Sequence, residues 1–228
     1  MKTFLAIGGH IGDMELTCGC VLATESLKGN KIVTLALTAG ERGNPKGVTT
    51  ADYKKQKINE AKEFAKMLGG EALVLDYPDG ELPYNEEVVF KVAQIIRDVR
   101  PNVIFTHWKK SMHKDHEATN KIVKDASFLA SVYDGKSLKG EACYAPVYYC
   151  ENWEDRIDFN PYLMVDCSLG YDLWCEAISK HYFIMHSTSF RYYDYYTHLT
   201  YVRGCLNKTL HAQCFDIEDY QKFQRINF

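Results

Sequence analysis

The 228-residue sequence has no excess of basic residues and no long hydrophobic run. Its 27 Lys and Arg are outnumbered by 30 Asp and Glu, which gives a formal net charge of -3. Nucleic-acid-binding surfaces normally carry a basic excess, so we expect no nucleic-acid partner. No segment approaches the roughly 20 apolar residues of a transmembrane helix, and polar residues follow the short apolar start where a signal peptide would have its cleavage site. We therefore expect a cytoplasmic protein without a transmembrane segment.

Three motifs of common enzyme and metal-site classes are also missing. None of the eight cysteines forms a C-x-x-C pair, and most lie in apolar stretches, so we interpret them as buried thiols. No G-x-S-x-G is present, which argues against a serine hydrolase. The glycines of "IGGHIG" at residues 7–12 do not match the G-x-G-x-x-G of dinucleotide-binding proteins. Nucleotide binding therefore stays a minor alternative.

Short apolar runs alternate with segments of helical periodicity along the chain. This order is typical of βαβ units and predicts an α/β fold, a Rossmann-like three-layer α/β/α architecture with a mostly parallel central sheet. Helices are predicted over 16–27, 52–68 and 86–99. The predicted strands are 2–8, 31–37, 72–76, 102–106, 145–149 and 162–166. We expect a single domain over 1–228, with an aromatic-rich C-terminal cap at about 185–228, in which "FRYYDYYTHLTYVRG" forms part of the cap rather than a sheet element.

Histidines and a carboxylate follow two of the predicted strands. His10 and Asp13 lie in the turn after the first strand, and His113 and His116 follow the strand at 102–106. Imidazole and carboxylate ligands suit zinc or another divalent transition ion, and three protein ligands leave a position open for water. The alternative is a loop histidine, with Asp13 and Glu15 complementing a helix dipole and an H-x-x-H pair arising by chance.

These segments resemble the PIG-L (LmbE-like) family of metal-dependent de-N-acetylases. The family signatures A-H-P-D-D and H-P-D-H correspond to "GHIGD" and "HKDH" here. Further matches in the family's order are "LTAGERG", "INEAKEFAKMLG", "LDYPDGEL", "VDCS" and "HAQCF". The resemblance spans nearly the whole chain.

The resemblance implies a role for each matching residue. His10, Asp13 and His116 would hold a divalent metal, expected to be Zn²⁺. His113 would stabilise the oxyanion of a tetrahedral intermediate, and Asp115 would orient an imidazole. The implied reaction is removal of an acetyl group from an N-acetylated amino sugar or its conjugate, by metal-assisted attack of water.

One position departs from the family pattern. The first aspartate of H-P-D-D, taken as the general base, is replaced by Gly12. Losing a positioned base typically lowers the rate by about 10²- to 10⁴-fold. Three explanations stay open: another carboxylate (Asp115, Glu15 or Glu41) reaches the water, the metal alone suffices for an easier substrate, or the protein binds without turnover. The alternative function is thus a catalytically impaired metal- and sugar-binding protein.

Several residues near the motifs are candidates for substrate binding. Arg42 would bind an anionic substituent and Asp79 a hydroxyl, although a surface role and a turn role are the respective alternatives. Trp108, with Trp153 and the tyrosines of 192–201, would stack on a sugar ring, or the tyrosines would form a structural cap or a subunit interface. We expect a small-molecule partner and allow for a homo-oligomer. His107 and His181 are interpreted as structural histidines.

Overall fold

The computed structural model describes residues 1–132 and 138–222, in which one sheet lies between two layers of helices. Its strands are β1 Thr3–Gly8, β2 Lys31–Thr38, β3 Glu71–Tyr77, β4 Val103–Thr106, β5 Val147–Cys150, β6 Leu163–Asp166 and β7 Ala212–Asp216. Its α-helices are α1 Asp13–Thr17, α2 Gly19–Leu27, α3 Thr50–Met67, α4 Glu86–Val99, α5 Lys114–Ser131, α6 Tyr171–Ile178, α7 Tyr182–His186 and α8 Tyr192–Asn207.

The sheet has the strand order β3-β2-β1-β4-β5-β7-β6. β1 pairs in parallel with both β2 and β4, and the parallel pairing continues to β3 on one side and β5 on the other. Within the described part of the chain, β7 is the one strand that runs in the opposite direction, since it pairs antiparallel with both β5 and β6. The strand order reverses at β1, and a crevice therefore opens beyond the carboxyl ends of β1 and β4.

Alternate residues of β1 supply the cores on both faces of the sheet. Phe4 and Ala6 pack with the helices α1, α2 and α6, whereas Leu5 and Ile7 pack with α4 and α5. Because successive side chains of a strand point to opposite faces, a strand covered on both sides is apolar at nearly every position. The three-layer, mostly parallel prediction is confirmed.

Most predicted elements lie within a few residues of the observed ones. The helix predicted over 86–99 has those bounds, and α3 differs from 52–68 by at most two residues at each end. The predicted helix 16–27 is interrupted at Cys18, so that the observed α1 and α2 are two short helices. Gly29 follows α2 with a φ of 80°, a conformation that glycine adopts without strain.

The C-terminal region is more than a cap. Residues 212–216 form β7, which is fully buried and lies between β5 and β6. No strand is predicted after residue 166, so β7 is missed by the sequence analysis, whereas "FRYYDYYTHLTYVRG" lies mostly in α8 and forms no strand. All five residues of "AQCFD" are buried, as in a strand that is covered on both faces. Because two of them, Gln213 and Asp216, are polar, the segment lacks the continuous apolar run by which such a strand is predicted from sequence. The single-domain interpretation stays a prediction.

Two compositional predictions can be compared with the structure. No helix among the described residues is long and apolar enough to cross a membrane. The cysteines are free thiols; six are buried, Cys175 is half-buried and Cys205 is exposed. The interpretation as buried thiols therefore holds for most of them.

Candidate metal centre

The polar residues of the site come from loops at the carboxyl ends of five parallel strands. The loop after β1 supplies His10 and Asp13, and the turn after β4 leads to His113 and His116. The loops after β2, β3 and β5 contribute further groups to the same edge, where a doubly wound sheet binds its ligands. The sequence motifs, although more than 100 residues apart, meet there because β1 and β4 are neighbours.

Asp13 is the centre of the cluster. Its Oδ2 lies 3.2 Å from His10 Nδ1, 3.1 Å from His107 Nε2 and 3.4 Å from His116 Nε2. The backbone N–H of His10 also donates to this oxygen at 2.7 Å, which fixes the carboxylate over the turn. Two of the predicted ligands, His10 and His116, therefore both lie beside the third, Asp13.

Asp155 orients two imidazoles of the cluster. Its Oδ1 is 3.0 Å from His116 Nδ1, and its Oδ2 is 3.0 Å from His107 Nδ1. Carboxylates in this position fix the ring and tautomer of a metal-binding histidine. With Nδ1 bonded to Asp155, His116 presents Nε2, which is buried and makes no hydrogen bond.

Sequence reasoning assigned the orienting role to Asp115 and missed Asp155. Asp115 does contact an imidazole, since its Oδ2 lies 3.3 Å from His10 Nε2. The same carboxylate accepts hydrogen bonds from the backbone N–H groups of Gly80 and Leu82. The available signal for Asp155 was its position in the loop after a predicted parallel strand, at the edge where the other motifs lie.

His113 is the N-cap of α5, and only its Nδ1 takes part in the capping hydrogen bond. Its Nδ1 accepts a hydrogen bond from the backbone N–H of Asp115 at 3.2 Å. An imidazole that accepts at Nδ1 carries its proton on Nε2 when neutral. Burial, followed by the charges of His10 and His116, lowers the pKa of His113. The residue therefore offers a neutral N–H donor, which suits the oxyanion-binding role that the resemblance implies.

The charges around the cluster are strongly coupled. Burial opposes ionisation of Asp13, but the charges of His116 and His10 outweigh it and lower its pKa well below the usual value. Burial likewise opposes protonation of His116, yet Asp13 and Asp155 raise its pKa to about 9. In the protein without metal the imidazoles thus neutralise the carboxylates, and a divalent ion would replace their protons.

The position of the missing base is filled by an aromatic ring. Gly12 has a φ of 108°, and a Cβ placed on it would lie 2.2 Å from Cζ of Phe183. The ring in turn has the ammonium of Lys57 4.6 Å from its centroid. A carboxylate side chain at residue 12 would therefore collide with Phe183. In place of the family's carboxylate, this corner of the site contains the aromatic ring of Phe183 and the ammonium of Lys57.

The three carboxylates considered as replacements are held by other partners. Glu15 Oε2 accepts the backbone N–H of Gly12 at 2.9 Å, and burial raises its pKa to about 7. Glu41 Oε1 accepts from the backbone N–H of Asp79, and neither Glu15 nor Glu41 lines the cavity. Glu154, which sequence reasoning missed, does line it, with Oε2 3.7 Å from His116 Nδ1.

A cavity of about 840 Å³ lies over the cluster. The predicted substrate-binding residues Arg42 and Asp79 line it, together with His10, Asp13, His113 and His116. Asp79 Oδ1 contacts His10 Nε2 at 3.1 Å, and its Oδ2 accepts the backbone N–H of Arg42. Burial opposes its ionisation, but His10 lowers the pKa of Asp79 to about 2. The Arg42 guanidinium is paired with Glu81 at 2.7 Å.

Trp108 does not reach this cavity. Its indole is buried, and its Nε1–H donates to the carbonyl of Ile157 at 2.9 Å. Tyr149 and Phe159 pack edge-on against the ring. Trp153, Tyr192 and Tyr196, which were predicted together with Trp108 to stack on a sugar ring, do line the cavity.

The donor set fits a divalent transition metal. Three groups of residues bring their ligand atoms within 4.8 Å of one another; these groups are His10 with His113 and His116, Asp13 with His107 and His116, and His10 with Asp79 and Asp115. Nε2 of His116 points to the same interpretation, because it is buried and makes no hydrogen bond although Asp13 Oδ2 lies 3.4 Å away, whereas buried polar atoms are normally hydrogen-bonded. The cluster is therefore compatible with a metal site.

Fold and site together define a class, namely three-layer α/β proteins with a His/Asp cluster beyond the carboxyl ends of parallel strands. The chain belongs to the PIG-L family, described as GlcNAc-PI de-N-acetylase, whose sequence profile matches residues 5–127, more than half of the chain.

Known relatives include both hydratases and deacetylases. The chain is 24% identical over 216 residues to 4-oxalmesaconate hydratase of Pseudomonas putida, covering 89% of this chain and 80% of that protein. The crystal structure of the 4-carboxy-2-hydroxymuconate hydratase of P. putida superposes with a TM-score of 0.87 at 22% identity, covering 100% and 99% of the two chains. The N,N'-diacetylchitobiose deacetylase of Pyrococcus horikoshii superposes with a TM-score of 0.80 at 19% identity, covering 95% and 84%. The fold thus carries two reaction types.

Proposed function

We propose that this protein is a metal-dependent hydratase, which adds water across an electron-poor carbon–carbon double bond. The observation that carries the proposal is the corner at Gly12, where Phe183 occupies the space of the family's general base. Amide hydrolysis depends on that base, since it takes a proton from the attacking water. The similarity to a hydratase over 89% of the chain supports the same choice.

Hydration of a double bond requires fewer proton-transfer groups in this site than cleavage of an amide. When bound, a divalent ion lowers the pKa of a coordinated water from 15.7 toward about 7. In the net reaction, the water oxygen bonds to one alkene carbon and a proton is added to the other, so no leaving group has to be protonated. His113 carries an N–H at Nε2, on a side chain that lines the cavity, and would stabilise the enolate oxygen that develops on the substrate.

His10, Asp13 and His116 would hold the metal, and zinc is the ion that this donor set suits. Asp155 would keep Nε2 of His116 directed at the ion through the bond to Nδ1. Asp79 and Asp115 would position His10, whose ring contacts both carboxylates.

The second candidate is deacetylation of an N-acetylated amino sugar or its conjugate, the function expected from the sequence. The aromatic wall of Trp153, Tyr192 and Tyr196 favours it, because sugar rings stack on such side chains. A cytoplasmic location, a small-molecule partner and a possible homo-oligomer belong to either proposal.

Metal content and two turnover assays separate these candidates. The purified protein is analysed for zinc, then incubated with conjugated unsaturated keto acids, followed by loss of ultraviolet absorbance, and with N-acetylglucosamine conjugates, followed by acetate release. Loss of absorbance without acetate release supports the hydratase. Acetate release without hydration establishes the deacetylase instead, and zinc binding without either reaction identifies the catalytically impaired alternative.

A further inference from the structure

Lys57 is a buried cation without an ion-pair partner. Only 5% of the residue is exposed, and its Nζ donates one long hydrogen bond, 3.4 Å, to the carbonyl of Gly40. No carboxylate among the described residues lies within 4 Å of Nζ to form an ion pair. A buried ammonium normally has a charged partner, because removing it from water is expensive.

None of the nearby carboxylates among the described residues forms an ion pair with Nζ. Asp13 contacts three imidazoles, and Asp79 accepts from Arg42 and contacts His10. Glu15 accepts the backbone N–H of Gly12. Glu60 Oε1 accepts from the side-chain amide of Gln56, and its Oε2, which is buried and makes no hydrogen bond, lies 3.9 Å from His181 Nδ1. Two N–H donors of the Lys57 ammonium are thus left for something else.

The ammonium lies at the wall of the cavity over the metal cluster. Nζ is 4.6 Å from the centroid of the Phe183 ring and 5.8 Å from that of Tyr53. Lys57, Phe183, Tyr53 and Gly40 all line that cavity. The cation therefore lies beside the corner where the family places its catalytic carboxylate.

We infer that Lys57 binds a carboxylate of the substrate, and that the substrate is accordingly a small organic acid. The inference deepens the proposed function by naming the class of substrate for the same cavity. A carboxylate on Nζ gives the ammonium its missing charged partner. It also holds the substrate against Phe183, within the cavity that contains the His/Asp cluster.

The test measures binding rather than turnover. Zinc-loaded protein is titrated calorimetrically with fumarate, maleate and succinate, and with their uncharged diamides. The wild-type protein is expected to bind at least one diacid and to bind its diamide on the order of tenfold or more weakly. Lys57→Met, which keeps the length of the side chain without its charge, is expected to weaken diacid binding by a similar factor.

Lys46→Met is the matched control. Lys46 also lines the cavity but is exposed at its rim, so its charge is screened by water and its loss is expected to change diacid binding by less than about threefold. Equal weakening in both variants, or unchanged binding in Lys57→Met, overturns the inference. So does the absence of diacid binding by the wild-type protein.

Two further measurements keep the test decisive. If Lys57→Met does not fold, Lys57→Arg replaces it, and diacid binding must survive in that variant because the charge is retained. A diacid must also raise the melting temperature of the wild-type protein more than its diamide does, as expected for a ligand of the native state. Diacid binding without hydration would leave the inference standing and contradict the proposed function alone.

Discussion

A single oxygen, Oδ2 of Asp13, lies within 3.4 Å of nitrogens from three imidazoles. Such crowding follows from the short loop after β1 and the neighbouring strand β4, which bring these side chains to one place. Individual residues of the cluster nevertheless have separate tasks. His116 offers a nitrogen that makes no hydrogen bond, whereas His113 has one nitrogen engaged in capping a helix.

The two histidines of "HKDH" should respond differently to substitution. His116→Ala is expected to abolish zinc retention, because it removes a ligand that Asp155 holds in place. His113→Ala is expected to retain zinc but lower turnover by about 10²- to 10³-fold, as for loss of an oxyanion donor. Zinc analysis after dialysis, alongside the turnover assay, measures both effects. Equal metal loss in the two variants would contradict these roles.

Asp155 should control metal affinity without binding the metal itself. Asp155→Asn is expected to weaken zinc binding by about 10- to 100-fold, because the amide no longer fixes the tautomer of His116 and His107. Competition with a chromogenic chelator gives the dissociation constant. Asp158→Asn is the control, since Asp158 is exposed and pairs with Lys110 on the surface. An unchanged affinity in Asp155→Asn would remove Asp155 from the site.

Gly12 should resist replacement by the family's aspartate. Gly12→Asp combines an unfavourable φ with the collision against Phe183, whereas Gly29→Asp has a positive φ but nothing within 4 Å of the new Cβ. We expect Gly12→Asp to lower the free energy of unfolding by about 1–3 kcal/mol more than Gly29→Asp. Urea unfolding measures both. Equal losses would mean that Phe183 moves aside readily and that the corner can accept a base.

At the scale of elements, the sequence predicted the parallel strands to within a few residues and the helices α3 and α4 well, whereas α5 and α8 were not predicted. α3 and α4 are long, periodic and bounded by clear signals, as with α4, which begins after the N-cap Asn85 and ends before Pro101. β7 was missed because Gln213 and Asp216 break its apolar pattern. The buried side-chain amide of Gln213 accepts a hydrogen bond from the backbone N–H of Val21 and donates one to the carbonyl of Leu16. No local sequence pattern predicts these two bonds.

Residues of the site were likewise predicted where a local motif contains them and missed where only contacts across the fold define their role. The motifs predicted His10, Asp13 and His116, and the structure brings them together. Asp155 and Lys57 could not be assigned because their roles depend on distances across the fold, not on spacing along the chain. The structure places the indole of Trp108 in the core and not in the cavity, because the orientation of this side chain depends on the packing of its strand end.

β7 should be as important to stability as the strands of the parallel region. Phe215 is fully buried and packs against Phe105, with ring centroids 4.9 Å apart. Phe215→Ala is expected to lower the free energy of unfolding by about 3–5 kcal/mol. Leu210→Ala, at a residue that is 72% exposed just before β7, should change it by less than about 0.5 kcal/mol. Equal small effects would mean that the C-terminal segment adds little to the core.

At the scale of the whole molecule, stability should depend on one buried histidine, His181, which lies just before α7. His181 is buried, neither of its ring nitrogens makes a hydrogen bond, and burial, followed by the charge of Lys57, lowers its pKa to about 3. An unfolded chain binds this proton at a pH near 6.5. The lowered pKa therefore gives stability that is present above pH 6.5 and is lost as the pH falls toward 3.

The contribution can be isolated by substitution. Between pH 7 and pH 5, His181 is expected to account for a loss of about 2 kcal/mol in the free energy of unfolding of the metal-free protein. His181→Gln should remove that part of the pH dependence, whatever its effect on stability at pH 7. Urea unfolding at several pH values measures it, with His198→Gln on the exposed face of α8 as the control. If the free energy of unfolding of His181→Gln depends on pH as steeply as that of the wild-type protein, His181 does not stay neutral in the folded state.

The position of β7 between β5 and β6 bears on how the chain is made. Strand β6 has no hydrogen-bonded neighbour other than β7 in the described part of the sheet, yet it leaves the ribosome some fifty residues earlier. The first five strands can pair with one another during translation. Strand β6, by contrast, has no partner among the described strands until β7 has been synthesised as far as residue 216. Since unpaired edges can pair with other chains, we expect the nascent protein to be prone to aggregation in the interval between the synthesis of these two strands.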